Sequence, residues 1–460
     1  MTHSRSRLFG TDGARGIANA DLTPRVALAL GRAYGAWLRR NRGPGEVLLA
    51  RDTRVSGPML GAATAAGLCS AGVSVADVGI LTTPALCLLV RRDAHPAGVV
   101  ISASHNPPAF NGIKLINSDG SKVPEDAERE IEDLAFTDED LAPRPTSSDI
   151  GTIRRDETAS ERYLDLLFET VGGDLSLAGL KVVLDCCHGA TYEVAPAAFL
   201  HAGAEVEVLN ADADGTAINV DCGSLHPEGL ARKVLARGAD LGVAFDGDGD
   251  RAVFVDDRGQ IRDGDFGKYV LAANLKARGL LNPPLVVGTV MSNLGLELAL
   301  RELGVELLRA DVGDRYVMDL MKQTGALLGG EQSGHIILAE TGVGDGVYTA
   351  LRVCEVLARS GQRLSELCAP LRKVPQVLIN LPVRDKHSWE RNECVTSEVQ
   401  KWRRRLADRG RILLRPSGTE PLVRVMTEAV DYRLAETAAQ EIANVIAAEY
   451  GLSPAGDELE

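Results

Sequence analysis

Three aspartates at every second position, Asp246-Gly247-Asp248-Gly249-Asp250, follow the apolar run Leu241–Phe245. The intervening glycines let the backbone turn tightly and gather the carboxylates, and gathered oxygen anions are what a hard divalent cation binds. An EF-hand loop would need Gly at its sixth position, where Arg251 stands, and a helix before it, where the sequence reads as strand. Solvated Asp-Gly turns are common. Three in succession behind a buried-type strand instead predict a Mg²⁺ site at Asp246, Asp248 and Asp250, completed by a phosphate oxygen.

Four other loops carry reactive groups. Ser102-Ala103-Ser104-His105-Asn106-Pro107-Pro108 ends an apolar run and offers Ser104 as a nucleophile or phosphate carrier, or else simply makes a turn. The Gly-x-Ser-x-Gly elbow of serine hydrolases is absent around it. Lys114, inside the apolar segment Asn111–Leu115, reads either as an edge-strand lysine or as a proton acceptor with a pKa depressed by desolvation. Gly329-Gly330-Glu331-Gln332-Ser333-Gly334-His335 sets a carboxylate, a hydroxyl and an imidazole in one loop, a set able to bond several sugar hydroxyls; His335 alone could equally be structural. Arg415-Pro416-Ser417-Gly418-Thr419-Glu420-Pro421 and Arg424 combine guanidinium forks, hydroxyls and a glycine into a phosphate nest on a hairpin. Phe9–Gly16 is a Gly-rich loop with Arg15, and Arg51-Asp52-Thr53-Arg54 reads equally well as a surface ion-pair network.

Elements able to hold these loops alternate along the chain. Thr23-Pro24 marks an N-cap and first helical turn, and Val26, Leu30, Ala33 and Trp37 recur at helical spacing, so a helix is predicted over 24–40. Strands at 47–50, 75–78 and 98–102 alternate with helices at 58–71 and 84–92. This is an α/β unit. Further strands at 181–185, 205–209, 241–245 and 252–255 build a second, and 285–290, 306–309 and 327–328 a third. The last 85 residues read as strand, charged helix (388–408), two strands and a helix, which suggests a small α+β domain with an antiparallel sheet. Pro- and Ser-rich residues at 142–156 and the stretch 371–375 read as connectors. The boundaries predicted are 1–155, 156–259, 260–373 and 374–460. Runs such as Val99–Ser102, Leu241–Phe245 and Leu327–Leu328 each enter a polar loop, and loops at strand C-termini form the ligand crevice of open α/β sheets.

With 460 residues, 45% hydrophobic and 25% charged, the chain is globular and long enough for several cores. Its 50 Lys and Arg against 64 Asp and Glu give a net charge of −14, which argues against nucleic-acid and anionic-membrane partners. No apolar run approaches membrane-spanning length, and no signal peptide is apparent at the N-terminus. Eight cysteines without a C-x-x-C pair fit reduced thiols in a cytoplasm.

Taken together, these loops resemble those of the α-D-phosphohexomutase superfamily, in the family's order from Gly10 to Arg424. Gly10-Thr11-Asp12-Gly13, Met291-Ser292-Asn293-Leu294-Gly295, Val312-Gly313-Asp314-Arg315 and Gln332 resemble its amino-sugar branch; mannose and glucose relatives commonly carry Met where Gln332 stands. The resemblance implies a heart-shaped, four-domain protein, three α/β domains with mixed sheets and a smaller α+β C-terminal domain. It implies that Ser104 is a phosphoserine that, with Asp246, Asp248 and Asp250, holds Mg²⁺; that Arg15, Lys114 and His335 line the reacting centre; and that Glu331 and Ser333 select the sugar. Arg415, Ser417, Gly418, Thr419 and Arg424 would hold the substrate's own phosphate. The implied activity is interconversion of glucosamine 6-phosphate and glucosamine 1-phosphate through a hexosamine 1,6-bisphosphate, supplying amino-sugar nucleotide and cell-wall precursor synthesis. The alternatives are a phosphomannomutase/phosphoglucomutase or a non-catalytic sugar-phosphate sensor. A kinase or autophosphorylation would load Ser104, and a monomer or homodimer is expected. Cys187, His188 and Ala217 depart from the family pattern and bear on packing in the second domain.

Overall fold

The Thr23-Pro24 signal is realised locally: Thr23 Oγ1 accepts from Val26 N at 3.3 Å, Pro24 occupies the first turn, and the helix Pro24–Asn41 buries Ala27, Leu30, Tyr34 and Leu38. The computed structural model describes residues 8–10, 12–43, 45–137, 145–416 and 421–450. Two compact units divide the chain: Met1–Thr289 with Leu308–Ala369, and Val290–Leu307 with Pro370–Glu460.

Within the first unit three mixed sheets repeat one arrangement. A seven-stranded sheet runs in the order Phe9–Gly10, Gly13–Ile17, Phe110–Asn117, Ala97–Ile101, Glu46–Arg51, Ser74–Ile80, Ile153–Arg155. Ala97–Ile101 lies parallel to Glu46–Arg51 on one side and antiparallel to Phe110–Asn117 on the other. In the five-stranded sheet Leu241–Phe245 is parallel to Lys181–Asp185 and antiparallel to Ala252–Asp256. In the third, Leu328–Gly330 is parallel to Leu285–Thr289 and antiparallel to Ile336–Leu338. A short loop suffices to join antiparallel neighbours, so in each sheet the loop after a parallel strand folds straight back at its C-terminal end. Those three loops carry Ser104, Asp246–Asp250 and Glu331–His335.

Two expectations for the first unit need correction. Part of the predicted connector returns to the first sheet: Ile153–Arg155 pairs in parallel with Ser74–Ile80 as a solvent-exposed edge strand, which its two arginines tolerate. Lys114 is not on an edge strand either, because Phe110–Asn117 sits between Gly13–Ile17 and Ala97–Ile101.

The second unit has an antiparallel sheet ordered Gln376–Pro382, Leu422–Ala429, Gly410–Pro416, packed with helices Glu393–Leu406 and Tyr432–Tyr450 around Trp402, Val425 and Ile442. The charged helix predicted from 388 splits: a 3₁₀ turn covers Ser388–Arg391, and Asn392 then caps the helix by accepting from Val395 N at 3.1 Å. Buried Glu428 binds Asn293 Nδ2 at 3.1 Å and Arg411 Nε at 2.7 Å, tying the segment at 290–307 to this sheet. All eight cysteines are free thiols, seven of them buried. Among the described residues no helix is long and apolar enough to cross a membrane.

Candidate active site

Ser104 and the three aspartates meet, although they come from two sheets. Ser104 has no exposed surface, and its Oγ donates to Asp246 Oδ2 at 2.6 Å. Asp246, Asp248 and Asp250 are buried, each offering a carboxylate oxygen within 4.8 Å of the others. Glycine is required at both intervening positions: a Cβ on Gly247 would come within 2.5 Å of the Ser104 carbonyl, and Gly249, at φ +75°, would press one against Thr82 and Thr191.

These residues fit a metal ion. Oδ1 of Asp248 and Oδ1 of Asp250 are buried without a hydrogen-bond partner, an arrangement that costs free energy unless a cation completes it. Burial and the charges of Asp250 and Asp248 push the Asp246 carboxyl well above the usual range, only partly offset by Arg251. An oxygen-only donor set of this kind binds a hard cation.

Basic groups surround the cluster. Lys114 Nζ lies 2.7 Å from Asp248 Oδ2 and 3.1 Å from Asp12 Oδ2. Burial works against its charge, but the two carboxylates overcome it and raise the pKa. The desolvation expected to depress its pKa is thus outweighed by its two carboxylate partners. Arg15, on Gly13–Ile17, pairs with Asp12 and donates from Nη1 to Asn106 Oδ1 of the serine loop at 3.2 Å. Lys122 bridges Asp12 and Asp314. His335 Nδ1 lies 3.5 Å from Asp250 Oδ2; burial disfavours its charge, yet Asp250, Asp314 and Glu331 push its pKa up to about 9. His105 moves the other way, down to about 4, through burial and the nearby Arg251 and Arg15.

Glu331 and Ser333 occupy the tight turn of the third sheet. Glu331 Oε1 accepts from Gly313 N at 3.0 Å and Oε2 from Ser333 Oγ at 3.3 Å, which leaves Ser333 and the carboxylate side by side. Buried Lys268 donates to Gly330 O at 3.0 Å and anchors the turn from below. In the second unit, Arg415 and Arg424 stand directly opposite each other on paired strands. Burial and the Arg424 charge lower the Arg415 pKa, so the pair suits an anion. Ser417, Gly418 and Thr419 lie outside the described residues.

Sequence reasoning missed two groups. Arg251 entered only as the residue that disqualifies an EF-hand, yet it is largely buried, its Nε 3.7 Å from Asp250 and 4.0 Å from Asp246. Asp52 and Arg54 are not a surface pair: both are buried, 2.8 Å apart. Their position just after the apolar strand Glu46–Arg51 was the available signal.

Four models of the phosphoglucomutase/phosphomannomutase family match in succession: alpha/beta/alpha domain I at 6–142, domain II at 161–259, domain III at 263–374, and the C-terminal domain at 378–445. Phosphoglucosamine mutase of Symbiobacterium thermophilum is 47% identical over 96% of this chain and 99% of its own. That of Moorella thermoacetica is 49% identical over 92% and 96%. Among solved structures, a phosphoglucomutase/phosphomannomutase family protein from Burkholderia thailandensis superposes with a TM-score of 0.79 at 28% identity, covering 97% of this chain and 98% of that one. Aspergillus fumigatus N-acetylphosphoglucosamine mutase shares the fold at a TM-score of 0.67 and 18% identity, with 97% and 96% covered.

Proposed function

The chain belongs to the phosphoglucomutase/phosphomannomutase family, and we propose that it acts as a phosphoglucosamine mutase, interconverting glucosamine 6-phosphate and glucosamine 1-phosphate. The observation that carries this reading is the 2.6 Å bond from Ser104 Oγ to Asp246, inside a carboxylate cluster with two buried oxygens that make no hydrogen bond.

In the forward direction the phosphoryl group on Ser104 Oγ passes to the O1 hydroxyl of the 6-phosphosugar. The P–Oγ bond breaks, the P–O1 bond forms, and the hydroxyl proton leaves to a base. The resulting 1,6-bisphosphate turns over, and its 6-phosphoryl group returns to Ser104 while O6 takes a proton. No water is consumed. Asp246, Asp248 and Asp250, with the Ser104 phosphate, would hold Mg²⁺, which when bound would supply positive charge against the phosphoryl group in transfer. Lys114, kept cationic by Asp12 and Asp248, and Arg15, beside the serine loop, add fixed charge at the reacting centre. His335 is held protonated by Asp250 and suits donation to a departing alkoxide. Glu331 and Ser333 accept and donate to sugar hydroxyls, while Arg415, Ser417, Gly418, Thr419 and Arg424 grip the phosphate that is not reacting.

A coupled assay for glucosamine 1-phosphate, primed with trace hexose bisphosphate and Mg²⁺, tests this. Glucosamine 6-phosphate should turn over faster than glucose or mannose phosphates, with no inorganic phosphate released. Faster turnover of mannose or glucose phosphate would reassign the sugar. Phosphate release would indicate a phosphatase, and binding without turnover a sensor.

A further inference from the structure

The serine loop rests on a buried cation that none of the steps above uses. Arg54 has no exposed surface, and its guanidinium donates to four main-chain carbonyls, three in that loop and one at the start of the strand it enters. Nη2 reaches Ser104 O and Asn106 O, both at 2.8 Å; Nη1 reaches Pro107 O at 2.6 Å and Phe110 O at 2.9 Å. Its Nε is bound to Asp52 Oδ2 at 2.8 Å. The same Asp52 oxygen accepts from Ser102 Oγ at 2.6 Å, and Ser102 Oγ accepts from Ser104 N at 2.9 Å. From the second sheet's domain, Asn219 Nδ2 donates to Ser104 O at 2.9 Å and Asn106 O at 3.1 Å. Both the amide and the carbonyl of Ser104 are thus held.

Ser104 needs such holding. Its φ is +51°, a left-handed conformation that is costly for a non-glycine residue and persists only where the surroundings over-determine it. Carbonyl dipoles crowded in a tight loop would also repel a phosphoryl group on the same residue. Bonding four of them to one guanidinium offsets that repulsion with a fixed positive charge, while Oγ bonds Asp246.

We propose that Asp52, Arg54, Ser102 and Asn219 are positioning residues that fix Ser104 for phosphoryl transfer without touching the sugar. The inference rests on Ser104 being the carrier. Asn219→Asp keeps the side-chain size but removes the donor, and Ser102→Ala removes the link between Asp52 and the Ser104 amide. Arg54→Lys leaves one ammonium for four carbonyls.

The readouts are single-turnover transfer from hexose bisphosphate onto Ser104, kcat and KM for the sugar phosphate, and the thermal midpoint. For Asn219→Asp and Ser102→Ala, transfer and kcat should fall about 10- to 100-fold, with KM within about twofold of wild type and folded protein retained. Arg54→Lys should lose more. Wild-type transfer rates in both milder variants would overturn the proposal, as would losses that disappear once rates are divided by the folded fraction. A wild-type protein that never phosphorylates Ser104 would instead refute the carrier reading, before any variant is compared.

Discussion

Ser104 Oγ and Asp246 Oδ2 lie 2.6 Å apart although 142 residues separate them in sequence. The bond puts the Ser104 hydroxyl on the edge of a cluster of like charges, so the cluster's electrostatics bear directly on that hydroxyl. Replacing one member, Asp246→Asn, should leave the metal-free protein at least as stable as wild type, because the cost of burying its charge and the repulsion from Asp250 and Asp248 are both relieved. Mg²⁺ at 100 times its Kd should stabilise wild type by about 2.7 kcal/mol and the variant by far less. Thermal melts with Mg²⁺ and with a chelator measure this, and equal metal-induced shifts would contradict it.

Lys114 sits between Asp12 and Asp248 with almost no exposed surface. Lys114→Met should destabilise the protein by about 3–5 kcal/mol, since it strands buried carboxylates. Adding Asp248→Asn should recover part of that loss, a coupling read from denaturant unfolding of the two single variants and the double variant. Additive effects would show that the pair is not coupled.

Arg415 faces Arg424 across the strand pair, two cations at one position of the ladder. Arg415→Ala should raise the KM for glucosamine 6-phosphate by about 10- to 100-fold, the worth of a charge-assisted bond, while phosphorylation of Ser104 by bisphosphate stays possible. An unchanged KM would remove Arg415 from the phosphate site.

Asp345 provides the clearest pH signature of stability. It caps the helix Gly346–Ser360 through Tyr348 N at 2.9 Å and accepts from Tyr163 Oη, also at 2.9 Å; burial outweighs these bonds and raises its pKa from 3.8 to about 6. The folded carboxyl therefore holds its proton more tightly than the unfolded one. Its contribution is complete below about pH 4 and is lost as pH rises through about 6. Asn caps a helix as well as Asp, so Asp345→Asn should gain about 2–3 kcal/mol over wild type between those limits. Melting curves at about pH 4.5, near the lower limit, and about pH 7.5, above the upper one, test the sign. A difference between the two proteins that does not change with pH would refute it.

Each of the three loops of the first unit could be read from sequence because a glycine- or serine-rich polar run directly follows an apolar strand. Charge states could not. The apolar neighbours of Lys114 are visible in the chain, whereas Asp12 and Asp248, which reverse its expected shift, arrive from elsewhere in the fold. Arg54 was hidden for the same reason: a polar tetrapeptide is ambiguous until the carbonyls of residues 104–110 close around it. Ile153–Arg155 was missed because an exposed edge strand lacks the alternation that marks a half-buried one. The departures at Cys187 and His188 fall where the backbone turns at φ +47° and +54°; Asp185 accepts from Cys187 N, His188 N donates to Asn210 O, and the His188 ring bonds Asp212 O at 3.1 Å.

The most direct test follows the phosphoryl group itself. Protein phosphorylated at Ser104, freed of bisphosphate and mixed with excess glucosamine 6-phosphate and Mg²⁺, should lose the group from the Ser104 peptide as glucosamine 1,6-bisphosphate appears in equal amount. Ser104→Ala should turn over at least about 10³-fold more slowly. Glucosamine 1-phosphate forming while the label stays on Ser104, or forming at an undiminished rate in the alanine variant, would contradict the account.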